Sequence, residues 1–241
     1  VPRRQTGDRP LRVALDPGHG GIDPGAEAGG ETEAALMLSL AREVADGLRR
    51  AGLDVVLTRE ADVFVPLEAR ISRAREAQAD ILLSLHADAL EEGEATGATI
   101  YVMEETASDE AARRMAERHD RGDILAGVDL AGSDDEVALV LMDLARAETR
   151  PRARRLAVIL SDSLGASGIR MHRHPIQSAA FSVLKAADIP SLLIEVGFLS
   201  SDRDRERIAD PEWLSDFIPA LSTALQAWAV AEAAEARLIR Q

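Results

Sequence analysis

The stretch LRVALDPGHGGIDPG, residues 11–25, sets the start of the fold. Its first six residues form a short apolar run that Pro17 and Gly18 end, a pattern typical of a buried β-strand. His19 follows in a glycine-rich loop between two copies of Asp-Pro-Gly. Each proline restricts the backbone and each glycine permits a tight bend. The loop is therefore predicted to be stiff and to present His19 at the end of the strand.

Strand and helix patterns alternate after this loop. Apolar residues recur at helical spacing from Glu33 to Gly52, which predicts a helix with one face turned inward. Two further strands are predicted at 53–58 and 81–85, with a helix over 66–78 between them. This order is typical of a parallel sheet with right-handed crossovers.

A charged segment interrupts this pattern. After a strand at 97–103, residues 104–150 are highly charged and contain two helical stretches, which indicates a helical insertion. The remaining predicted elements are a helix from about Pro151, a strand near 181–184, a strand at 191–195 and a helix from Pro211. We therefore expect an α/β fold with a mostly parallel, twisted sheet flanked by helices. Residues 1–10 are expected to be a tail or a linker remnant, and 11–241 a single domain.

Composition excludes several classes of function. The chain has 241 residues, of which 46% are hydrophobic, enough for one substantial core. Its net charge of −14 repels polyanions, so nucleic acid is not an expected partner. No apolar run reaches the length of a membrane span, and the first ten residues lack a signal-peptide pattern. Because there is no cysteine, any transition metal must be bound by histidine and carboxylate.

Polar residues stand at the carboxyl ends of three predicted strands, where open parallel sheets bind ligands. They are His19, His86 and Glu195. Glu33 begins the first helix on its inward face, at the helix end nearest the same sheet edge. Two histidines and one carboxylate are a common ligand set for catalytic zinc, which keeps a fourth position for water. Glu195 then suits a general base.

Each of these residues also has a purely structural interpretation. A histidine in a glycine-rich loop is commonly a turn or surface residue, and the helix dipole favours a carboxylate such as Glu33 in the first turn. Glu195 could be ion-paired with an arginine. Their convergence on one sheet edge favours a functional site. Of the other histidines, His119 is expected to be solvated in the charged insertion. His172 and His174 could line the site or only cover it, and covering is the favoured interpretation.

The GHGG loop also resembles a nucleotide-binding turn, a weaker interpretation. The glycines do not complete the G-x-G-x-x-G pattern, and Pro24 stands where the helix should begin. The sequence has no P-loop and no G-x-S-x-G motif. A nucleotide-binding module remains the least favoured alternative.

Together, the motifs resemble the zinc-dependent N-acetylmuramoyl-L-alanine amidases, which cleave peptidoglycan. The resemblance covers nearly the whole chain from Leu11. DPGHGG at 16–21, Glu33 with the LMLSLA run after it, and SLHAD at 84–88 are similar to the three zinc motifs of the family. PSLLIEVGFLSS at 190–201 is similar to the segment that carries its catalytic glutamate. Asp88 stands where asparagine is common in the family.

The resemblance implies hydrolysis of the amide between N-acetylmuramic acid and L-alanine of the stem peptide. It implies that Zn²⁺ is bound by His19, Glu33 and His86, and that Glu195 is the catalytic residue. Two alternatives share these features: a zinc peptidase acting on another amide, and a non-catalytic peptidoglycan-binding module.

Two segments, at 97–103 and 179–191, resemble the Gram-negative cell-separation subgroup in particular. In that subgroup an inserted helix blocks the zinc site until a protein activator moves it. SDDEVALVLMDLARAET at 133–149 is similar to this helix. The resemblance implies a periplasmic, autoinhibited enzyme with peptidoglycan as substrate and an activator that binds this regulatory helix.

An acidic residue of the regulatory helix could occupy the open zinc position, and Glu136 is the candidate. Ser133 and Glu136 also form a capping box, which explains Glu136 without any regulatory role. Asp143 and Glu148 are the competing acidic residues.

Overall fold

The computed structural model describes residues 4–89, 96–125 and 136–239, and only the backbone of 121–125, 136–142 and 239. Within these ranges the strands are β1 (Arg12–Pro17), β2 (Glu27–Ala28), β3 (Glu31–Thr32), β4 (Asp54–Leu57), β5 (Ile81–His86), β6 (Ala98–Met103), β7 (Met171–Ala179) and β8 (Ser191–Glu195). The helices are α1 (Glu33–Arg50), α2 (Leu67–Glu76), α3 (Glu110–Leu125), α4 (Glu136–Ala166), α5 (Asp202–Ile208) and α6 (Pro211–Ile239), with a short 3₁₀ helix at Ser182–Leu184.

A six-stranded sheet in the order β4-β1-β5-β8-β6-β7 forms the centre of the fold. The four strands β4, β1, β5 and β8 are parallel to one another. Strand β6 pairs antiparallel with β8, and β7 continues parallel to β6. The expected α/β fold with a mostly parallel sheet is confirmed. The small hairpin of β2 and β3 lies between β1 and α1 in the chain.

Helices cover both faces of the sheet. On one face, α1, α4 and α6 enclose the main core with side chains such as Leu83 and Leu85 of β5. On the other face, Leu82 packs with α2, and Leu193 of β8 packs with α3 and the 3₁₀ helix. Strand β5 is buried along its whole length because it is covered on both sides, which explains its continuous apolar sequence.

The prediction of a strand near 181–184 is wrong. Those residues form the 3₁₀ helix, whose side chains are buried against α3, and the strand of this region is β7 instead. Strand β7 is an edge strand with a polar sequence and a register shift opposite Ala98 and Ile100. An edge strand tolerates Pro175 because one side of its backbone needs no partner strand. Its polarity and its proline hid this strand in the sequence.

Helix α4 is continuous where two helices were expected. It runs through Pro151, although proline lacks the N–H that would bond to the carbonyl of Ala147. Beyond the proline, Leu156, Leu160 and Leu164 are fully buried in the main core. This burial stabilises the helix across a residue that usually ends one, so the helix of the insertion and the helix of the α/β frame are one element.

The segment before β1 packs on the domain. Arg9 donates two hydrogen bonds of 2.7 Å to Asp80, and the side chain of Gln5 is buried. Arg4 forms an ion pair of 2.8 Å with Glu148 of α4. Among the described helices, none has both the length and the apolar character needed to cross a membrane.

A buried ion pair joins α4 to α6. Arg152 donates to Glu232 at 2.5 Å, and Arg155 lies 3.4 Å from the same carboxylate. Trp228 of α6 donates its indole N–H to the carbonyl of Arg152 at 3.2 Å. Because Arg152 and Glu232 are both buried, each charge depends on the other for compensation.

Replacing Glu232 with Ala should lower the free energy of unfolding by about 3–5 kcal/mol, because the guanidinium of Arg152 stays buried without its partner. Urea unfolding followed by circular dichroism measures the change. Asp46→Ala, which removes the exposed partner of Arg49, is the control and should change stability by less than about 0.5 kcal/mol. Equal effects of the two substitutions would show that the Arg152–Glu232 pair does not anchor α4.

Candidate active site

The predicted site residues meet at the carboxyl edge of the parallel strands. His19 follows β1, and His86 and Glu195 end β5 and β8, where they are direct register partners. Glu33 begins α1, and its carboxylate lies between the two histidines. Oε1 is 2.9 Å from Nδ1 of His86, and Oε2 is 3.3 Å from Nε2 of His19.

The glycine-rich loop places His19 by its backbone geometry. His19 itself has a φ of 58°, in the left-handed region that few residues other than glycine adopt. Asp23 of the second Asp-Pro-Gly turn lies 2.8 Å from Nδ1 of His19, so Nε2 faces Glu33. A Cβ at Gly25 would stand 2.6 Å from Cδ2 of His19 and 2.8 Å from Oε2 of Glu33, so only glycine fits there.

Glu33 is held by backbone donors and by the start of its helix. Thr32 caps α1 by accepting a hydrogen bond from the N–H of Ala35 at 3.2 Å, which leaves the Glu33 side chain free to turn inward. Its carboxylate accepts from the N–H of Ala26 at 3.1 Å and from that of Ala87 at 3.0 Å. Glu33 is only 1% exposed, so these contacts fix a buried charge.

The charges of this cluster depend on one another. Burial alone would raise the pKa of Glu33, but His19 and His86 beside it lower that pKa well below its usual value. Burial opposes the charged form of His19, yet Glu33 and Asp23 raise its pKa to about 10. Burial and the neighbouring His119 lower the pKa of His86. The carboxylate of Glu33 is therefore an anion that needs a cation beside it.

Glu195 has a different environment from Glu33. It is fully buried, and its Oε2 accepts one hydrogen bond, from the N–H of Asp88 at 3.0 Å. Its Oε1 accepts no hydrogen bond from the described part of the chain. Burial, together with the charges of Glu33 and Asp88, raises the pKa of Glu195 to about 8 against the opposing effect of His86. The group can hold a proton near neutral pH.

His119 is buried in the site, so the prediction that it is solvated is wrong. Its side chain is 6% exposed, its ring centroid lies 4.2 Å from that of His86, and its Nε2 lies 3.3 Å from Oε1 of Glu195. The helical spacing of Ala112, Met115, Ala116 and His119 is the signal that could have revealed this. The first three are buried, and the fourth continues their stripe into the site.

Contacts on both sides of His119 fix this part of α3. Arg118 donates to Oδ2 of Asp88 at 2.7 Å and 3.1 Å. Asp120 accepts from the backbone N–H of Ser182 at 3.0 Å and from its hydroxyl at 2.8 Å. Asp88 stands where asparagine is common in the family that the sequence resembles, and its negative charge pairs with the positive charge of Arg118. His119 is thus held between two anchored neighbours.

The remaining candidate residues lie elsewhere. The side chain of Glu136 is outside the described residues, although its backbone begins α4. Asp143 is exposed and pairs with Arg146, and Glu148 pairs with Arg4, so neither is free for a metal. His172 and His174 lie on the edge strand β7 with their rings 6.0 Å apart, outside the cluster of His19, His86 and His119.

The cluster can bind a divalent metal ion. One nitrogen from each of His19, His86 and His119 lies within 4.8 Å of the others, and Glu33 adds a carboxylate between the first two. Neither ring nitrogen of His119 has a hydrogen-bond partner in the described part of the chain. Nitrogen and oxygen donors in this number suit a transition metal such as zinc.

Known sequences and structures agree with this architecture. The N-acetylmuramoyl-L-alanine amidase family model matches residues 13–227. The chain is 33% identical over 226 residues to N-acetylmuramoyl-L-alanine amidase AmiC of Neisseria meningitidis, covering 93% of this chain and 54% of the relative. It is 35% identical over 203 residues to AmiA of Salmonella typhimurium, covering 83% of this chain and 70% of the relative. The chain thus spans about half the length of the AmiC relative.

Solved structures share the fold. N-acetylmuramoyl-L-alanine amidase AmiC2 of Nostoc punctiforme superposes with a TM-score of 0.63 at 25% identity, covering 90% of this chain and 96% of that structure. The amidase of Clostridium difficile 630 gives a TM-score of 0.65 at 22% identity, covering 92% and 97%, and shows the fold alone. With the family match over nearly the whole domain, the chain belongs to the N-acetylmuramoyl-L-alanine amidase family.

Proposed function

We propose that this chain is a zinc-dependent amidase that hydrolyses the bond between N-acetylmuramic acid and L-alanine in peptidoglycan. The observation that carries the proposal is the position of the Glu33 carboxylate between His19 and His86, one strand away from the buried Glu195. Membership of the amidase family gives the substrate class.

Zn²⁺ would be bound by His19, Glu33 and His86. The donor set fits the ion because a buried carboxylate lies within 3.3 Å of two imidazole nitrogens and needs a positive charge there. Zinc in such a site polarises a substrate carbonyl and lowers the pKa of water towards about 7. His119 is not assigned as a third permanent histidine ligand, because it lies against Glu195 in the space that a substrate amide must enter.

Glu195 would act as the general base and then as the general acid. Its Oε2 is held by the N–H of Asp88, so Oε1 is the atom available to accept a proton from the attacking water. The same oxygen can then donate that proton to the leaving nitrogen of L-alanine. Burial raises the pKa of Glu195, which favours holding the proton between these two steps.

Replacing Glu195 with Gln should lower turnover of purified peptidoglycan by about 10²–10⁴-fold, because the amide cannot accept the proton. Both forms are compared in chains that also carry His119→Ala, which removes the block proposed below. Release of stem peptides with a free L-alanine amino terminus, followed by mass spectrometry, measures the reaction. Zinc content should be unchanged, since Glu195 is not assigned as a ligand. Glu206→Gln, at an exposed position of α5, is the control and should keep full activity. Full activity of E195Q would remove Glu195 from the mechanism.

The same assay separates the alternatives. A non-catalytic peptidoglycan-binding module would bind the wall and release no peptide. A zinc peptidase would release fragments that do not begin with L-alanine.

We further propose that the insertion at about 104–150 holds the enzyme inactive. Among the residues whose side chains are described, His119 of α3 is the candidate for the open position, and Glu136, whose side chain is outside the described residues, stays the candidate from the regulatory helix. Nε2 of His119 is 3.3 Å from the Glu195 oxygen assigned to proton transfer, and its ring packs against His86. Arg118 and Asp120 hold it there, so neither water nor substrate can reach the base in this arrangement.

A protein activator would act on the outer side of the insertion. The proposed contact is the 133–149 segment assigned as the regulatory helix, where Leu144 of α4 is 71% exposed. Binding there would draw α3 away from Glu195. We also propose that the protein acts in the periplasm and in cell separation, as its resemblance to the cell-separation subgroup implies.

Replacing His119 with Ala should raise activity on purified peptidoglycan in the absence of any activator. We expect an increase of about 5–150-fold, the usual range of an allosteric coupling free energy. Zinc binding should persist, because His19, Glu33 and His86 remain. His172→Ala, in an imidazole on β7 that lies outside the metal-binding cluster, is the control. Loss of both zinc and activity in H119A would instead identify His119 as a required ligand.

A further inference from the structure

Beneath the site lies a buried polar network that the proposed chemistry does not use. Asp16 of β1 is buried and accepts hydrogen bonds from the hydroxyl of Ser84 at 2.6 Å, from the hydroxyl of Thr58 and from Arg70 at 2.8 Å. Burial alone would raise the pKa of Asp16, but Arg70 and the two hydroxyls hold it below its usual value. Asp16 is therefore a carboxylate that only accepts hydrogen bonds.

This network determines which nitrogen of His86 carries a proton. The oxygen of Ser84 lies 3.2 Å from Nε2 of His86, and the one hydroxyl proton of Ser84 is already donated to Asp16. Ser84 can only accept from His86, so Nε2 carries the proton and, in the neutral ring, Nδ1 keeps its lone pair. That lone pair lies 2.9 Å from Oε1 of Glu33, a separation at which two acceptors need a proton or a metal ion between them.

Arg70, which donates to Asp16, also contacts the backbone of His19. Arg70 is only 3% exposed, and its guanidinium donates to the carbonyl of His19 at 2.7 Å and to that of Pro17 at 2.7 Å. His19 has the left-handed backbone conformation, which costs a non-glycine residue roughly 1–2 kcal/mol. A charged hydrogen bond to its own carbonyl offsets that cost and fixes where the ring stands.

We propose that Arg70 is a positioning residue for both imidazole ligands of the metal site. It acts on His19 directly through the backbone carbonyl, and on His86 through Asp16 and Ser84. One guanidinium makes all these contacts because it is planar and has five donors in a fixed arrangement, which a lysine ammonium cannot reproduce. The inference rests on the proposed zinc site and goes beyond it, since none of the four residues of the network is assigned there as a metal ligand or as the catalytic residue.

Ser84→Ala removes a single oxygen atom and tests the contacts that lead to His86. Arg70→Lys tests the contacts that lead to both histidines. We expect each to weaken Zn²⁺ binding by about 10–100-fold, the usual effect of removing a group that orients a metal ligand. Affinity is measured on the full chain by competition with a chromophoric chelator, well below the unfolding temperature of the metal-free protein. The absorption spectrum of the Co²⁺-loaded chain reports the geometry of the site and should change in both variants.

Arg75→Lys is the matched control, because Arg75 lies on the same helix but forms an exposed ion pair with Asp188. It should leave Zn²⁺ affinity unchanged. Thermal unfolding of the metal-free variants distinguishes a role in stability from a role in positioning the metal ligands. Lower stability with unaltered Zn²⁺ affinity and Co²⁺ spectrum in S84A and R70K would overturn the inference. If R70K does not fold, S84A alone decides. If the wild-type chain does not bind zinc, the proposed function and this inference are both overturned. If wild type and variants bind zinc equally, only this inference is overturned.

Discussion

The negative charge of Glu33, enclosed at the end of the sheet, is the constraint on which the site depends. A buried carboxylate is costly unless cations and hydrogen bonds surround it. The backbone N–H groups of Ala26 and Ala87 supply hydrogen bonds, and His19 and His86 supply the compensating groups. These partners come from the loop after β1, from the last residue of β5 and from the residue that follows it. The requirement for charge compensation therefore ties the start of α1 to the ends of β1 and β5, which is the arrangement a metal site needs.

Glu195 ends the strand next to that of His86, and yet its pKa is raised where that of Glu33 is lowered. Within the described residues it accepts one backbone hydrogen bond and forms no ion pair with an arginine, so burial raises its pKa, while Glu33 is kept ionised by its histidines. Two carboxylates with separated pKa values can take different roles, one as a ligand and the other as a proton carrier. The unoccupied hydrogen-bonding capacity of Glu195 also makes this space polar, which explains why an imidazole such as His119 can be buried there.

The sequence predicted the parts of the fold that follow from local patterns. Strands β1, β5 and β8 appear as apolar runs ended by polar residues, and the carboxyl-edge rule brings His19, His86 and Glu195 together without any knowledge of the structure. Strand β7 was missed because an edge strand needs neither an apolar sequence nor the absence of proline. His119 was missed because the charge of its neighbours outweighed the short apolar stripe leading to it. Arg70 was missed because its partners are backbone carbonyls of a distant loop, and no local pattern indicates such contacts.

The continuity of α4 limits how the insertion can move. The part of the helix after Pro151 is fixed to α6 by the buried Arg152–Glu232 pair, so motion has to be confined to the part before the proline and to α3. Helix α3 is held at the site by the buried side chains of Ala112, Met115 and Ala116 and by the partly exposed hydrogen bonds of Arg118 and Asp120. Hydrogen bonds of this kind contribute about 1 kcal/mol each, so together they amount to a few kcal/mol. In the proposed regulation, a partner displaces His119 only by the difference between its affinities for the two positions of α3, and each 1.4 kcal/mol of that difference is about tenfold in affinity. The core of the domain would stay folded, because the buried ion pair separates the two regions of α4.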